Sequence, residues 1–264
     1  MQATGREYGA RGAVFGNEFY AGSLGSAADL IVDRAASRLG GYATFTGAHG
    51  VTSAPHNAEW RAALDGAWCN FPDGAPVAWR MRHTGLPRAQ RIPGPDMFPL
   101  VILGGRSSGL RHFLFGSTEP VLDGLEVRLR ALAPGVEIAG TLSPPFRPLA
   151  TAEDAGIIDA IAATDPHILW VGLGAPKQDL WMLHNAHRLP GVLCIGVGAA
   201  FDFISGNKSR APEWMQRTGM EWFHRLARNP RTLGPRYAMA TSRFVALVAT
   251  DFARQELNRR RRMA

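Results

Sequence analysis

Two apolar runs constrain this chain more than any other feature. "HILWVGLG" (167–174) and "GVLCIGVGAAFDF" (191–203) are almost free of polar residues. A strand with one face in water alternates apolar and polar residues, whereas a strand covered on both faces reads as a continuous apolar run. Between them, "PKQDLWMLHNAHRL" has helical spacing with Pro176 near its start. The same alternation runs upstream. "RHFLFGS" (111–117) predicts a strand, 119–135 a helix stopped by Pro134-Gly135, "VEIAGTL" a strand, and 151–166 a helix with Thr151 as N-cap. Helices are also expected over 27–39, 55–67 and from the Pro-Gly corner at 72–74. A short strand running into a turn is expected at 41–51, and residues 1–25 read as an extended lead-in. Strand, helix, strand repeated in this way predicts an α/β fold, a Rossmann-like, mostly parallel sheet with helices on both faces.

The chain has 264 residues, 46% hydrophobic and 19% charged, enough for a substantial core. No run reaches the roughly 18–20 apolar residues of a membrane span. No apolar segment follows the early arginines, so no signal peptide is expected and the cytoplasm is the expected compartment. Cys69 and Cys194 both sit in apolar runs and read as buried thiols.

Charge divides the chain. Residues 208–264 hold 13 Lys and Arg against 4 Asp and Glu, a local +9, so the rest sums to −2 within the net +7. We therefore divide the chain at 207/208, with an α/β domain before it and a basic helical appendage after it. In the appendage Phe244, Leu247, Val248 and Phe252 share a helical face, and Arg259–Arg262 follow. Arg210, Arg217, Arg225, Arg228, Arg231 and Arg236 interleave with Trp214, Trp222, Phe223 and Tyr237. That mixture suits a membrane interface, nucleic acid, or a clamp on a polyanionic ligand.

In open α/β sheets ligands bind at the carboxyl ends of strands. "GLGAPKQD" (172–179) places Gly172 and Gly174 where backbone must come close to a neighbour. It then offers Lys177 and Gln178 at a helix N-terminus, suited to phosphate or sugar hydroxyls. The chain has neither G-x-G-x-x-G with a following acid nor G-x-x-x-x-G-K-[ST]. It has no Asp-x-Asp pair, the common way of holding a divalent cation on a nucleotide diphosphate, so a bound diphosphate would be neutralised by cationic side chains and helix N-termini. His184 and His187, three apart, read as surface histidines. Asp73, between Pro72 and Gly74 in "CNFPDGAPVAW", is a lone acid in a core-like segment.

Taken in order, "TGAH" (46–49), "FPDGAPV" (71–77), "RIPGPD" (91–96), "VGLGAPKQDLW" (171–181), "GVGAAFDFISG" (196–206), "RAPEWM" (210–215) and "GMEWFHRLARNPRTLGPRY" (219–237) resemble the WecG/TagA/CpsF family of bacterial glycosyltransferases. The resemblance implies an inverting, metal-independent transfer of a sugar, often N-acetylmannosamine, from a UDP-sugar donor. The implied acceptor is a sugar linked to undecaprenyl diphosphate, at the inner face of the plasma membrane, in cell-surface polysaccharide assembly. It implies no cofactor. It assigns Asp73 as general base, Thr46 and Gln178 to the sugar, and Arg91 to the substrate pocket. Arg210, Arg225 and Arg231 would neutralise diphosphate, and the appendage would dock on an anionic membrane surface. A homo-oligomer is a further expectation, and no nucleic-acid partner is. Two positions depart from the family pattern. Ala48 stands where the family often has Asn, which opens the way to glucose or another hexose as donor, and Asp179 stands where it usually has Glu. The competing class is an Arg-rich nucleic-acid-binding protein, and a third is an inactive scaffold.

Overall fold

A computed structural model describes residues 10–147 and 149–263; the side chains of Arg236 and of residues 254–263 are outside the description. The chain begins with β1 (Arg11–Val14), β2 (Asn17–Tyr20), α1 (Leu24–Ala36), β3 (Gly41–Thr46), α2 (Ala48–Ser53), α3 (Ala58–Asp65) and β4 (Cys69–Pro72). It continues through α4 (Ala75–His83), α5 (Gly94–Gly104), β5 (Arg111–Gly116), α6 (Glu119–Leu132), β6 (Glu137–Leu142), α7 (Thr151–Ala163) and β7 (Ile168–Gly172). It ends with α8 (Lys177–Asn185), β8 (Leu193–Gly196), α9 (Ala200–Ser205), α10 (Glu213–Arg217), α11 (Glu221–Arg228) and α12 (Pro230–Met263).

Six strands form a parallel sheet in the order β4-β3-β8-β7-β5-β6. The apolar runs behave as their composition requires. Ile168–Val171 and Leu193–Gly196 are buried throughout. On one face α1, α5, α6 and α9 bring Ile31, Phe98, Leu125 and Phe201 against Leu114, Trp170 and Ile195. On the other, α7 and α8 bring Ile158, Ile161, Trp181 and Met182 against Phe113, Phe115, Leu169 and Val171. Burying one such side chain contributes about 1.5–3 kcal/mol, so the double cover accounts for the sheet.

Three expectations are corrected and one strand, β4, is new. The lead-in holds a hairpin, β1 and β2, turning through Phe15 and Gly16 with φ of 50° and 81°. A two-residue turn with both φ positive matches the twist of its strands, and Asn-Gly is its usual signal; Phe-Gly hides it. The segment before Asp73 is a strand, β4, buried along its length. The run 191–203 is a strand only to Gly196, and Asp202 lies on α9. Thr151 is the first residue of α7, after an N-cap at Ala150. The Glu153 carboxylate accepts from the Ala150 N–H at 2.9 Å, which satisfies one of the free N–H groups of that helix end.

The appendage lies against the body. Phe244 of α12 is 8% exposed and meets the Phe15 ring edge-on, centroids 5.3 Å apart. With half-buried Val248 it joins Val14, Phe19, Val51, Val77 and Met81 in one cluster. Beside it, buried Arg80 of α4 bonds Asp251 at 2.9 Å, under the rings of Phe15 and Phe252. The apolar face expected on α12 is thus taken up by the hairpin at Phe244 and Val248, while Phe252 stays half exposed. The side chains of Arg259–Arg262, and that of Arg236, lie outside the described residues.

Candidate active site

β3 hands the chain on to β4 at one edge of the sheet, whereas β8 receives it from β7 on the other side. Connections that diverge between neighbouring strands leave a crevice at their carboxyl ends. A cavity of about 560 Å³ opens there. Its walls include Thr46 at the end of β3, Asp73 after β4, Arg91 and the Val197-Gly198 turn after β8. Gly174, Gln178 and Asp179 contribute from the start of α8, and Glu221, Trp222, Arg225, Leu233 and Tyr237 from α11 and α12.

Asp73 leaves the sheet at a corner only glycine fits well. Gly74 has φ +92° and is the N-cap of α4, while the Asp73 N–H donates to the Thr46 carbonyl at 3.1 Å. The carboxyl is half-buried. Burial pushes its pKa up from the usual carboxylate range, with help from the charges of Glu221 and Asp96. Arg91 and Arg225 pull it down, and the net value is about 6. A carboxylate poised near neutrality can take a proton during a reaction and lose it again afterwards.

The hydrogen-bond role of Thr46 follows from its neighbours. Asn70 donates from Nδ2 to the Glu18 and Leu64 carbonyls, which fixes its amide with Oδ1 toward the sheet. Thr44 Oγ1 donates to that oxygen at 2.6 Å. Having spent its proton, Thr44 Oγ1 accepts from Thr46 Oγ1 at 2.9 Å. Thr46 therefore offers the cavity an acceptor.

Gln178, 3% exposed, is fixed in the opposite sense. Its Oε1 accepts from the Gly174 N–H at 3.0 Å, so its Nε2 is the donor group, with one N–H beside the Asp179 carboxyl and a second left for the cavity. Asp179, 2% exposed, accepts from Trp60 Nε1 at 2.9 Å through Oδ2. Burial raises its pKa to about 6 against the pull of Trp60 and Gln178. Sequence reasoning gave no site role to Asp179 and Glu221 in the cavity wall, nor to Asn70, which acts on Thr46 through Thr44. The signal for Asp179 was its place beside Gln178 in "PKQD", where it read as a mild change of family residue.

The arginines separate. Arg91 and Arg225 line the cavity. Arg210 does not, and its guanidinium bonds Asp96 and Glu221, the latter at 3.2 and 3.4 Å. Arg91 lies 3.6 Å from Glu221 and 3.9 Å from Asp96. Two arginines and two acids thus tie α5 and its preceding loop to the start of α11. Arg231 is exposed, away from the cavity lining.

Gly172 and Lys177 border a second depression of about 530 Å³, with Ser117, Pro144 and Phe146, a residue 90% exposed. A Cβ on Gly172 would lie 2.5 Å from the Phe201 ring, so close packing requires this glycine. His184 is on the surface, 2.7 Å from Glu59, and His187 is exposed. Among the described residues no three His, Cys, Asp or Glu cluster as metal ligands would.

A crevice at a switch point, a carboxylate near neutrality, fixed donors and acceptors and two arginines are the groups an α/β enzyme would bring to a hydroxyl-rich, anionic ligand. Residues 13–262 match the family described as "Glycosyl transferase WecG/TagA/CpsF family", and the chain belongs to it. It is therefore a glycosyltransferase. Two curated relatives carry the name N-acetylglucosaminyldiphosphoundecaprenol N-acetyl-beta-D-mannosaminyltransferase. The one from Bacillus spizizenii (strain ATCC 23059 / NRRL B-14472 / W23) is 32% identical over 177 residues, 67% of each chain. The one from Bacillus subtilis (strain 168) is 33% identical over 174 residues, 64% of this chain and 66% of the relative. The alignments thus span about two thirds of each relative's length.

Proposed function

We propose that this chain moves a hexose from a UDP-sugar to a sugar carried on undecaprenyl diphosphate, with inversion and without a metal ion. The relatives' names supply the acceptor class and N-acetylmannosamine as the first donor to try. The observation that carries the reading is the convergence of Asp73, Thr46, Arg91, Gln178 and Arg225 on one cavity. Asp73 takes the proton of the acceptor hydroxyl as that oxygen bonds to the anomeric carbon. The bond from that carbon to the diphosphate oxygen breaks, and UDP leaves with the electron pair. Arg91 and Arg225 stabilise the charge on the departing diphosphate. Lys177 and the open ring of Phe146 suit the nucleotide end of the donor. Ala48 in the cavity wall favours a second donor, glucose or another hexose, because no amide is offered there.

Residues 208–264 serve as the appendage that docks this site on the membrane. Trp214, Trp222 and Phe223 are exposed among arginines, a composition suited to an anionic interface. Among the described residues no helix is long and apolar enough to cross a membrane.

The test is UDP release in EDTA, with several UDP-sugars and a short-chain lipid diphosphate-sugar acceptor. Wild type is expected to turn over only with acceptor, and Asp73→Asn to lose about 10²–10⁴-fold in kcat. Turnover unaffected by Asp73→Asn would make the acid a structural corner. Turnover lost in EDTA and restored by a divalent cation would overturn the metal-free mechanism.

A further inference from the structure

One buried polar atom in the cavity region is left without a partner. Asp179 Oδ2 is held by the Trp60 indole N–H, whereas Oδ1 has no partner at hydrogen-bond distance among the described residues; the Gln178 side chain lies near enough to help lower the pKa of the carboxyl. A buried acceptor without a donor costs about 1–3 kcal/mol, and a charged one more. Such an atom in a native core calls for a reason. The residue lines the cavity together with Gln178, Gly50, His49 and Trp60. Its place is set by α8, a nine-residue helix whose first turn carries both Gln178 and Asp179. β4 and β7, which lead to Asp73 and α8, are three strand spacings apart, about 14 Å. That gap accommodates a hexose ring between the side chains of the two walls.

We infer that Asp179 is a specificity-determining residue of the sugar subsite, its Oδ1 accepting a hydrogen bond from a hydroxyl of the transferred hexose. This rests on the transferase reading above. The subsite then presents two acceptors, Asp179 Oδ1 and Thr46 Oγ1, and one donor, Gln178 Nε2. A polyol ring satisfies such a set because each hydroxyl both donates and accepts. A site built around a substrate hydroxyl discriminates strongly against an analogue lacking it, since its own buried acceptor is then left unpaired.

The geometry also supplies a clean variant. In Asp179→Asn the Trp60 N–H still requires an acceptor, so the amide oxygen turns to Trp60 and the NH₂ takes the place of Oδ1. The indole bond is kept while the polarity facing the sugar is reversed. Binding of UDP, UDP-N-acetylmannosamine and UDP-glucose would be measured by calorimetry on the full chain. The wild-type protein is expected to bind its UDP-sugar more tightly than UDP. Asp179→Asn is expected to bind UDP as before and to lose that advantage by about 10- to 100-fold. Asp179→Glu, which keeps an acceptor one methylene further out, is expected to retain part of it. Equal sugar preference in wild type and both variants would overturn the inference and leave Asp179 as a support for Trp60. A loss of kcat in Asp179→Asn with sugar binding intact would overturn it too, by moving Asp179 into the chemistry. Failure of wild type to bind any UDP-sugar would instead sink the transferase reading itself.

Discussion

Asp73 and Asp179 are two carboxyls that the fold holds at about pH 6, and both owe it first to burial. For Asp73 the consequence for rate has one sign. A general base works when ionised, so kcat/KM is expected to fall as pH drops through about 6, and the limb should vanish in Asp73→Asn. The consequence for stability has the other. The native pKa lies above the unfolded value of about 3.8, so the charged form is disfavoured on folding at high pH. Asp73→Asn should therefore melt higher than wild type at pH 8. That advantage should shrink as pH falls through 6 and be gone near pH 4, which a series of thermal melts would show. A variant that is inactive yet more stable marks a residue kept for chemistry at the expense of the fold.

At the level of elements, α11 is held by charge rather than by packing, since none of its residues is buried. Glu221 at its start bonds Arg210 and lies near Arg91. Arg225, one turn further along the same face, reaches the cavity. Replacing Glu221 with Gln leaves Arg91 and Arg210 sharing Asp96 alone. We expect a roughly tenfold loss of kcat/KM from the displaced helix, about 1.4 kcal/mol and so less than a fully buried charge pair would cost, because these side chains are partly exposed. Because Glu221 raises the Asp73 pKa, the acid limb of the rate profile should also move to lower pH. A loss of rate with an unmoved limb would mean that Glu221 acts on the fold alone. By contrast α12 is held by burial. Phe244→Ala should destabilise the protein by about 3 kcal/mol, the low end for a buried phenylalanine, measured by urea unfolding.

The elements most legible in the sequence were those with the longest apolar periodicity: β5, α6, α7, β7 and α8 appear where their patterns place them. The four-residue strands were harder. β4 is too short to show a period, and β1–β2 is joined by a turn whose Phe-Gly pair carries no Asn or Asp signal. The run 191–203 misled because an apolar strand and a buried short helix have the same composition when both lie in a core.

For the whole molecule, the appendage closes the cavity on one side and presents basic and aromatic residues outward on the other. A membrane-docking role makes a quantitative expectation. Each basic residue close to an anionic surface contributes about 1 kcal/mol. Arg228→Ala with Arg231→Ala should thus weaken binding to anionic vesicles about 30-fold and reduce its salt dependence, without altering UDP binding. Unchanged vesicle binding would separate the appendage from the membrane.

By itself, the sequence determined the parallel sheet and its two-faced cover, because continuous apolar runs admit few other arrangements. It also determined the concentration of positive charge at one end and, through its ordered motifs, the family. Only the tertiary structure decided which arginines reach the cavity, because Arg210 and Arg225 look alike in a basic run until their neighbours are known. It alone gave Thr46 and Gln178 their opposite hydrogen-bonding senses, through Asn70, Thr44 and Gly174, and showed Asp179 with one oxygen held and one left over. Such roles depend on which groups across the sheet have already used their protons and lone pairs, and residues distant along the chain fix that only once they are folded together.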